Sequence, residues 1–152
     1  MTTHKYGWVP DIPDHRDCLF AAPVENLAAL SAKVDLRPQC PKEVYEQGQL
    51  GSCTADAIAG ALEFDQTKQA VKVFTASRLF IYDNERVMEG TVNSDSGAQI
   101  RDGIKSVGSP GACPETVWAY DITKFADKPP QPAANTKLQL DRRPDAASAK
   151  IG

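Results

Sequence analysis

QGQLGSCTA, residues 47–55, places Cys53 directly after a loop that contains two glycines. The apolar residues that follow have the i, i+3, i+4, i+7 spacing of one helix face: Ala55, Ile58, Ala59 and Leu62. Ser52 is a residue type that begins helices well, because its hydroxyl can accept a hydrogen bond from a free backbone N–H. The pattern therefore predicts a helix whose first turn carries Cys53.

A cysteine at the start of a helix is suited to act as a nucleophile. Unpaired N–H groups give the helix N-terminus a partial positive charge, which favours the thiolate over the thiol. A thiolate attacks acyl carbons, and the oxyanion that develops needs hydrogen-bond donors, for which the Gln47 amide and the Cys53 N–H are candidates. An isolated cysteine in an alanine-rich helix is more often a small buried residue, but the neighbours of Cys53 favour the catalytic interpretation.

Two further helices are predicted downstream. The first runs from about Ser77 to Met88, with Gly90 just beyond its end. Its apolar residues lie around most of the circumference, as is typical of a buried helix. The second runs from about residue 97 to residue 107 and is stopped by Gly108. A short helical stretch around residues 25–32 is left open.

The motif Q-G-x-x-G-S-C-x-A resembles the active-site segment of papain-like cysteine peptidases. Other segments resemble the same family in the same order: VDLR at 34–37, SRLF at 77–80, and CPE with WAYD between 113 and 121. Ser96-Gly97 stand where the family has a glycine-rich strip that hydrogen-bonds the substrate backbone. This series, from about Val34 to Asp121, looks most like a bacterial branch of the family.

The resemblance implies an α+β fold, of which this mainly α chain forms the helical left domain. It also implies hydrolysis of peptide bonds, with Cys53 as the nucleophile. Gln47 stands six positions earlier (53 − 47) and supplies the oxyanion-hole amide. Four further residues are implied to bind substrate: Gly51, Ser52, Ser96 and Gly97.

Several departures from the family pattern bear on activity. The family usually has a disulfide-forming cysteine where Leu50 stands, and an aromatic residue where Thr54 stands. Its histidine and asparagine lie about 130–150 residues after the cysteine, whereas no histidine follows His15 here. His4 and His15 are expected to be solvated, since a general base must reach the thiol.

Two functions follow from these departures. In the first, the chain is an apparently truncated cysteine peptidase that needs a second domain or another chain to supply the histidine and asparagine. We expect such a chain alone to hydrolyse peptides negligibly. In the second, the chain is a non-catalytic peptide-binding or inhibitory module that keeps half of a peptidase cleft.

The chain divides into three parts. Residues 1–33 form a proline-punctuated extension that either blocks the cleft like a propeptide or packs on the domain as an arm. Residues 34–127 form the papain-like helical domain. Residues 128–152 are a low-complexity tail that is expected to be disordered, and its composition fits either a truncation or frameshift or an authentic short protein.

The composition disfavours several other classes of function. A net charge of −3 and the lack of a basic cluster argue against nucleic acid as a partner. No apolar run approaches the roughly 18 residues of a membrane span, and no signal peptide begins the chain, so a cytoplasmic location is the default, with signal-independent export left open.

The four cysteines include no C-x-x-C pair, so we expect no metal site, and no cofactor motif is present. Free thiols are expected in a reducing compartment, although three disulfide pairings remain open. Half of a two-domain fold should also expose an apolar face, through which the chain would self-associate unless its arm or tail covers it.

Overall fold

Three helices form the core of the computed structural model, which describes residues 5–19, 21, 30–109 and 111–131. Helix α1 spans Cys53–Lys68, α2 spans Arg78–Glu89 and α3 spans Ile100–Gly108. All three pack against one another. The mainly helical architecture agrees with the predicted helical half of an α+β protein. The predicted helix at 25–32 and the tail after residue 131 fall largely or wholly outside the described residues.

Helix α2 has the boundary signals that its sequence predicts. The Ser77 hydroxyl accepts a hydrogen bond from the Phe80 N–H at 3.2 Å, and Gly90 ends the helix with a left-handed φ of 71°. Most of its residues are buried, including Leu79, Ile81 and Tyr82. Helix α2 is therefore buried, as its sequence predicts, except in its last turn, where Val87 and Met88 are exposed.

Helix α3 begins three residues later than predicted. Ala98 and Gln99 form a short strand, β2, instead of helix, because they pair in parallel with Trp8 and Val9, which form β1. A local pattern cannot reveal this pairing, since the two strands are about ninety residues apart in sequence. The two-stranded sheet joins the N-terminal arm, residues 5–19, to the helical core.

The three helices meet at Gly103. A β-carbon there would overlap the carboxylate of Glu85 from α2 and the side chain of Ile58 from α1. Glycine at this position therefore permits close approach of all three helices. The small residues that the sequence places on α1, including Ala55 and Ala59, are fully buried in the same core.

A shallow apolar groove of about 550 Å³ lies between α1 and the segment at 36–45. Its walls include Leu36, Val44, Ala57 and Phe64. This groove is an exposed apolar surface in the described part of the chain. The predicted apolar face left by a missing second domain, and self-association through it, stay predictions. No helix among the described residues is long and apolar enough to cross a membrane.

Candidate active site

Cys53 is the first residue of α1 and is half-buried. Ser52 occupies the N-cap position as predicted, but its hydroxyl makes no capping hydrogen bond. It instead lies 2.6 Å from the Tyr120 hydroxyl, which donates to the Gln47 carbonyl at 3.0 Å. Because the tyrosine proton goes to that carbonyl, Ser52 donates to Tyr120. This chain of contacts fixes the loop that carries the thiol, and the free N–H groups of α1 remain beside Cys53.

Burial raises the pKa of Tyr120 to about 12, the nearby Ser52 hydrogen bond acting in the opposite direction. The phenol is therefore neutral at physiological pH and keeps its proton for the Gln47 carbonyl. The sequence does not mark Tyr120 as a site residue, although it belongs to the WAYD segment that resembles the family.

The side-chain amide of Gln47 already holds a peptide carbonyl. Its Nε2 donates to the Leu50 carbonyl at 3.1 Å and to the Lys5 carbonyl at 2.5 Å. The first bond stabilises the turn before Cys53, and the second binds the backbone of the N-terminal arm. An amide at this position is thus oriented to bind a main-chain oxygen, which is the task that the resemblance implies for it.

Gly97 lies opposite the loop that precedes Cys53. It has a left-handed φ of 77°, and its N–H donates to the Tyr82 hydroxyl at 3.2 Å. A β-carbon on Gly51 would lie 3.5 Å from the Gly97 nitrogen, so the backbones of the two glycines lie close together. The region that they border next to Cys53 is called the cleft below, and the two glycines are called its walls. Ser96, the other residue of the predicted strip, directs its hydroxyl to the Gly97 carbonyl at 3.3 Å. Of the four residues predicted to bind substrate, Gly51 and Gly97 therefore lie close together and Ser96 adjoins Gly97, whereas Ser52 is fully buried with its hydroxyl directed at Tyr120.

Asp95 connects these two walls, and the sequence did not indicate it. Its Oδ1 accepts hydrogen bonds from the Gly51 N–H at 3.0 Å and from the Tyr82 hydroxyl at 2.6 Å. Its Oδ2 lies 2.6 Å from the Lys5 ammonium. Burial alone would raise the pKa of Asp95, but the hydrogen bonds from Lys5, Tyr82 and Gly51 outweigh it and lower the pKa.

The N-terminal arm runs through the cleft. Gly7 accepts a hydrogen bond from the Ala98 N–H at 2.8 Å and is followed by β1. A β-carbon on Gly7 would lie 2.6 Å from the carbonyl carbon of Gly51, and one on Gly97 would lie 2.5 Å from the carbonyl carbon of Gly7. The arm is therefore wedged between both walls at a point where only glycines fit.

Thr54, the residue after Cys53, is 1% exposed and its hydroxyl donates to Glu85 Oε2 at 2.9 Å. Burial raises the pKa of Glu85 to about 8, more than the Thr54 hydrogen bond lowers it. A neutral carboxyl thus lies behind the start of α1. The family's aromatic residue at this position gives way here to a polar pair inside the core.

A second, partly buried cluster surrounds Arg78. Its guanidinium lies 4.5 Å from the ring centre of Tyr45 and 4.0 Å from that of Tyr120, and 2.9 Å from a Glu115 oxygen. Asp56, one turn after Cys53, lies 3.6 Å from the same guanidinium, and burial raises its pKa to about 6. The guanidinium joins α1 to the segment around Tyr120, which in turn supports the Ser52 loop.

No histidine among the described residues makes a hydrogen bond with Cys53. The His15 side chain is 93% exposed on the arm, as predicted, and lies 3.8 Å from an Asp14 oxygen. His4 lies outside the described residues. All four cysteines are free thiols, Cys113 being buried and Cys18 and Cys40 exposed. Within the described ranges, no group of three or more histidine, cysteine, aspartate or glutamate side chains is arranged to hold a metal ion.

Comparison with known proteins finds relatives of this chain in both sequence and fold. The chain is 38% identical to an uncharacterized peptidase C1-like protein of Acanthamoeba polyphaga mimivirus, with 84% of this chain and 46% of that protein aligned. It is also similar to the crystal structure of xylellain, a cysteine protease from Xylella fastidiosa, with 42% identity and a TM-score of 0.76. That match covers 89% of this chain and 56% of xylellain. The chain thus spans about half the length of each, and no family model matches it.

Proposed function

Because the chain is related to papain-like cysteine peptidases in both sequence and fold, we propose that it carries the nucleophile half of a peptide-hydrolysing site. The observation that carries the proposal is the hydrogen bond from Gln47 Nε2 to the Lys5 carbonyl. It supports the assignment of Gln47 because a peptide carbonyl from another segment already occupies the amide that stands six residues before Cys53.

In the proposed reaction, the Cys53 thiolate attacks the carbonyl carbon of a peptide. A C–S bond forms and the carbonyl electrons move to the oxygen, which the Gln47 amide and the Cys53 N–H stabilise. Collapse of this intermediate breaks the C–N bond, and the leaving amine takes a proton. Water then hydrolyses the thioester and regenerates the thiolate. Gly51, Ser52, Ser96 and Gly97 would hold the substrate backbone in the cleft.

The proton for the leaving amine requires a histidine, and the histidine requires a residue that orients it. We propose that a second domain or a second chain supplies the histidine and an asparagine. The chain holds only two histidines, His4 and His15, and the second is exposed on the arm. We therefore expect the 152-residue chain alone to turn over peptides negligibly, since loss of the base costs several orders of magnitude in rate.

We further propose that the extension of residues 1–33 blocks the cleft of the domain at 34–127. The contacts of Gly7 with Gly51 and Gly97 support this role, because a substrate backbone cannot occupy the same space. A purely structural arm that packs elsewhere on the domain would not need a glycine between the two walls.

The test is labelling of Cys53 by a thiol-directed peptide epoxide at neutral pH, located by peptide mapping. We compare wild type with Gly7→Ala, whose added methyl collides with Gly51 and displaces the arm. Iodoacetamide, which needs no cleft, serves as the control reagent in both proteins. Peptide labelling of Cys53 that rises in Gly7→Ala, and disappears in Cys53→Ala, supports both the site and the block.

Two results would count against these proposals. Equal peptide labelling of wild type and Gly7→Ala would contradict the block. Peptide labelling that falls only on the exposed Cys18 and Cys40, while iodoacetamide still reaches Cys53, would contradict the peptide cleft. A chain from which residues 1–10 are deleted repeats the comparison without adding a side chain, in case the methyl shifts Gly51 rather than the arm.

The alternative function is a non-catalytic peptide-binding or inhibitory module. The exposed position of His15 favours it, because this histidine contacts Asp14 on the arm and makes no described hydrogen bond with Cys53. Turnover of a fluorogenic peptide that is lost in Cys53→Ala would exclude this alternative. Binding of peptides by Cys53→Ala and wild type alike, without labelling of the thiol, would support it.

A further inference from the structure

Lys5 occupies the cleft with both its backbone and its side chain. Its carbonyl accepts the hydrogen bond from Gln47 Nε2, and its ammonium reaches Asp95. One residue of the arm therefore contacts the proposed oxyanion-hole amide and an acidic group on the opposite wall at once. In a peptide substrate, the residue whose carbonyl oxygen binds Gln47 is the one whose bond is cleaved.

The Asp95 carboxylate is held in place by contacts that do not involve the arm. Asp95 Oδ1 is held by the Gly51 N–H and by the Tyr82 hydroxyl, and Tyr82 is fully buried in α2. These two bonds leave Oδ2 and the Asp95 main-chain carbonyl directed at a single ammonium, at 2.6 and 2.5 Å. Two acceptors that converge on one point select a cation with several donors, which lysine and arginine side chains provide.

We propose that Asp95 forms a cation-binding subsite of the cleft, which Lys5 fills in this structure and which a lysine or arginine side chain of a peptide substrate fills once the arm leaves. The subsite recognises the residue on the amino side of the bond to be cleaved. This inference rests on the proposed peptide-hydrolysing function and specifies the class of substrate. Asp95 acts by charge at the substrate side chain, in addition to holding Gly51 in place.

The test uses two tripeptide chloromethyl ketones that differ only in the residue next to the reactive group. One carries lysine and the other carries norleucine, which has the same linear stem without the ammonium. Labelling rates at Cys53 are measured by mass spectrometry in the full chain with Gly7→Ala, whose arm is displaced. Because a charge-assisted hydrogen bond is lost in the norleucine probe, we expect the lysine probe to react roughly tenfold faster.

A second protein, Gly7→Ala with Asp95→Asn, keeps a side chain of the same shape that can still accept from Gly51 and Tyr82. We expect its lysine-to-norleucine ratio to fall to about one, because the charge has gone. A ratio that stays near tenfold in Asp95→Asn, or a ratio of one already in Gly7→Ala, overturns the cation subsite. So does a fall of both rates by the same factor, which would leave Asp95 only a positioning role.

Failure of the proposed function looks different. In that case neither peptide probe labels Cys53 in Gly7→Ala, while iodoacetamide does, and both inferences fall together. Equal labelling by the two probes removes only the cation subsite and leaves the peptide cleft standing.

Discussion

Glu85→Gln should make the stability of the chain less dependent on pH. Glu85 is fully buried between the three helices, and only its Oε2 has a hydrogen-bond partner, the Thr54 hydroxyl. Burial raises its pKa to about 8 from a usual value of 4.5. Between these two values the unfolded chain has lost the proton and the folded chain still binds it. The free energy of unfolding must therefore decrease as pH rises through this window.

The magnitude follows from the width of the window. Each pH unit in the window lowers the free energy of unfolding by about 1.4 kcal/mol. The destabilisation caused by Glu85 therefore reaches about 3 kcal/mol at pH 7 and about 5 kcal/mol above pH 8. Glutamine cannot ionise, so Glu85→Gln lacks this slope, whatever constant offset its amide introduces. The raised pKa of Asp56 also contributes a slope near pH 6, but it is common to both proteins and cancels in the difference.

Urea denaturation at pH 5, 6, 7 and 8, followed by circular dichroism, gives the free energies to compare. The stability difference in favour of the variant should grow by about 1.4 kcal/mol per pH unit from pH 5 to pH 8. Glu43 is exposed, so Glu43→Gln should leave the wild-type slope unchanged. Parallel curves for wild type and Glu85→Gln would refute the reasoning, because they would mean that Glu85 is ionised inside the fold.

Three further substitutions test other parts of the structure. Gly103→Ala forces a methyl group into the contact of the three helices and should lower the free energy of unfolding by about 1–3 kcal/mol. The control Gly108→Ala, whose methyl meets nothing within 4 Å, should not lower it. Equal free energies for the two variants would argue against close helix packing. Arg78→Met leaves two partly buried carboxylates without their cation and should lower the free energy of unfolding, measured by urea denaturation at pH 7, by about 3 kcal/mol. The control Arg37→Met removes an exposed arginine and should change it hardly at all. Lys5→Met removes an ion pair that ties the arm to the cleft and should raise peptide labelling of Cys53 about two- to fivefold at low salt, with the gain shrinking at high salt. A gain that is independent of salt would mean that the ion pair does not hold the arm.

The helices and the place of Cys53 at the start of α1 could be predicted because their signals are local. The spacing of small residues after Cys53 gives the face of α1, and Ser77 with Gly90 gives the ends of α2. These signals lie within a few turns of chain, where periodicity and capping chemistry act directly. The fold class was predicted differently, from the resemblance of several short motifs, taken in order, to a known family.

The start of α3 and the hydrogen bonds of the cleft could not be predicted, because they depend on residues far apart in sequence. Strand β2 exists through its pairing with the arm, and Asp95 acquires its role through Gly51 and Lys5, which lie 44 and 90 positions away. The one available signal was position, since Asp95 directly precedes Ser96-Gly97. An aspartate before a glycine-rich turn is common enough that its neighbours in space, and not its type, decide its role.

Leu50 illustrates the same limit. The family usually has a disulfide-forming cysteine there, and its absence left open what would hold the loop in place. Leu50 is buried in the core, and the N–H of the next residue is held by Asp95. A noncovalent tie of this kind does not depend on the redox state of the compartment.

The contact of Gly7, Gly51 and Gly97 also has an evolutionary consequence. A β-carbon on Gly7 would overlap the Gly51 carbonyl, and one on Gly97 would overlap the Gly7 carbonyl, whereas one on Gly51 would crowd Asp95 Oδ1 at 2.9 Å; Gly97 additionally has a left-handed φ. A side chain at position 7 or 97 should therefore displace the arm from the cleft without touching Cys53. Among relatives that keep the arm seated, positions 7 and 97 should stay glycine together, while lineages that lose the arm should be free to vary at position 7 first.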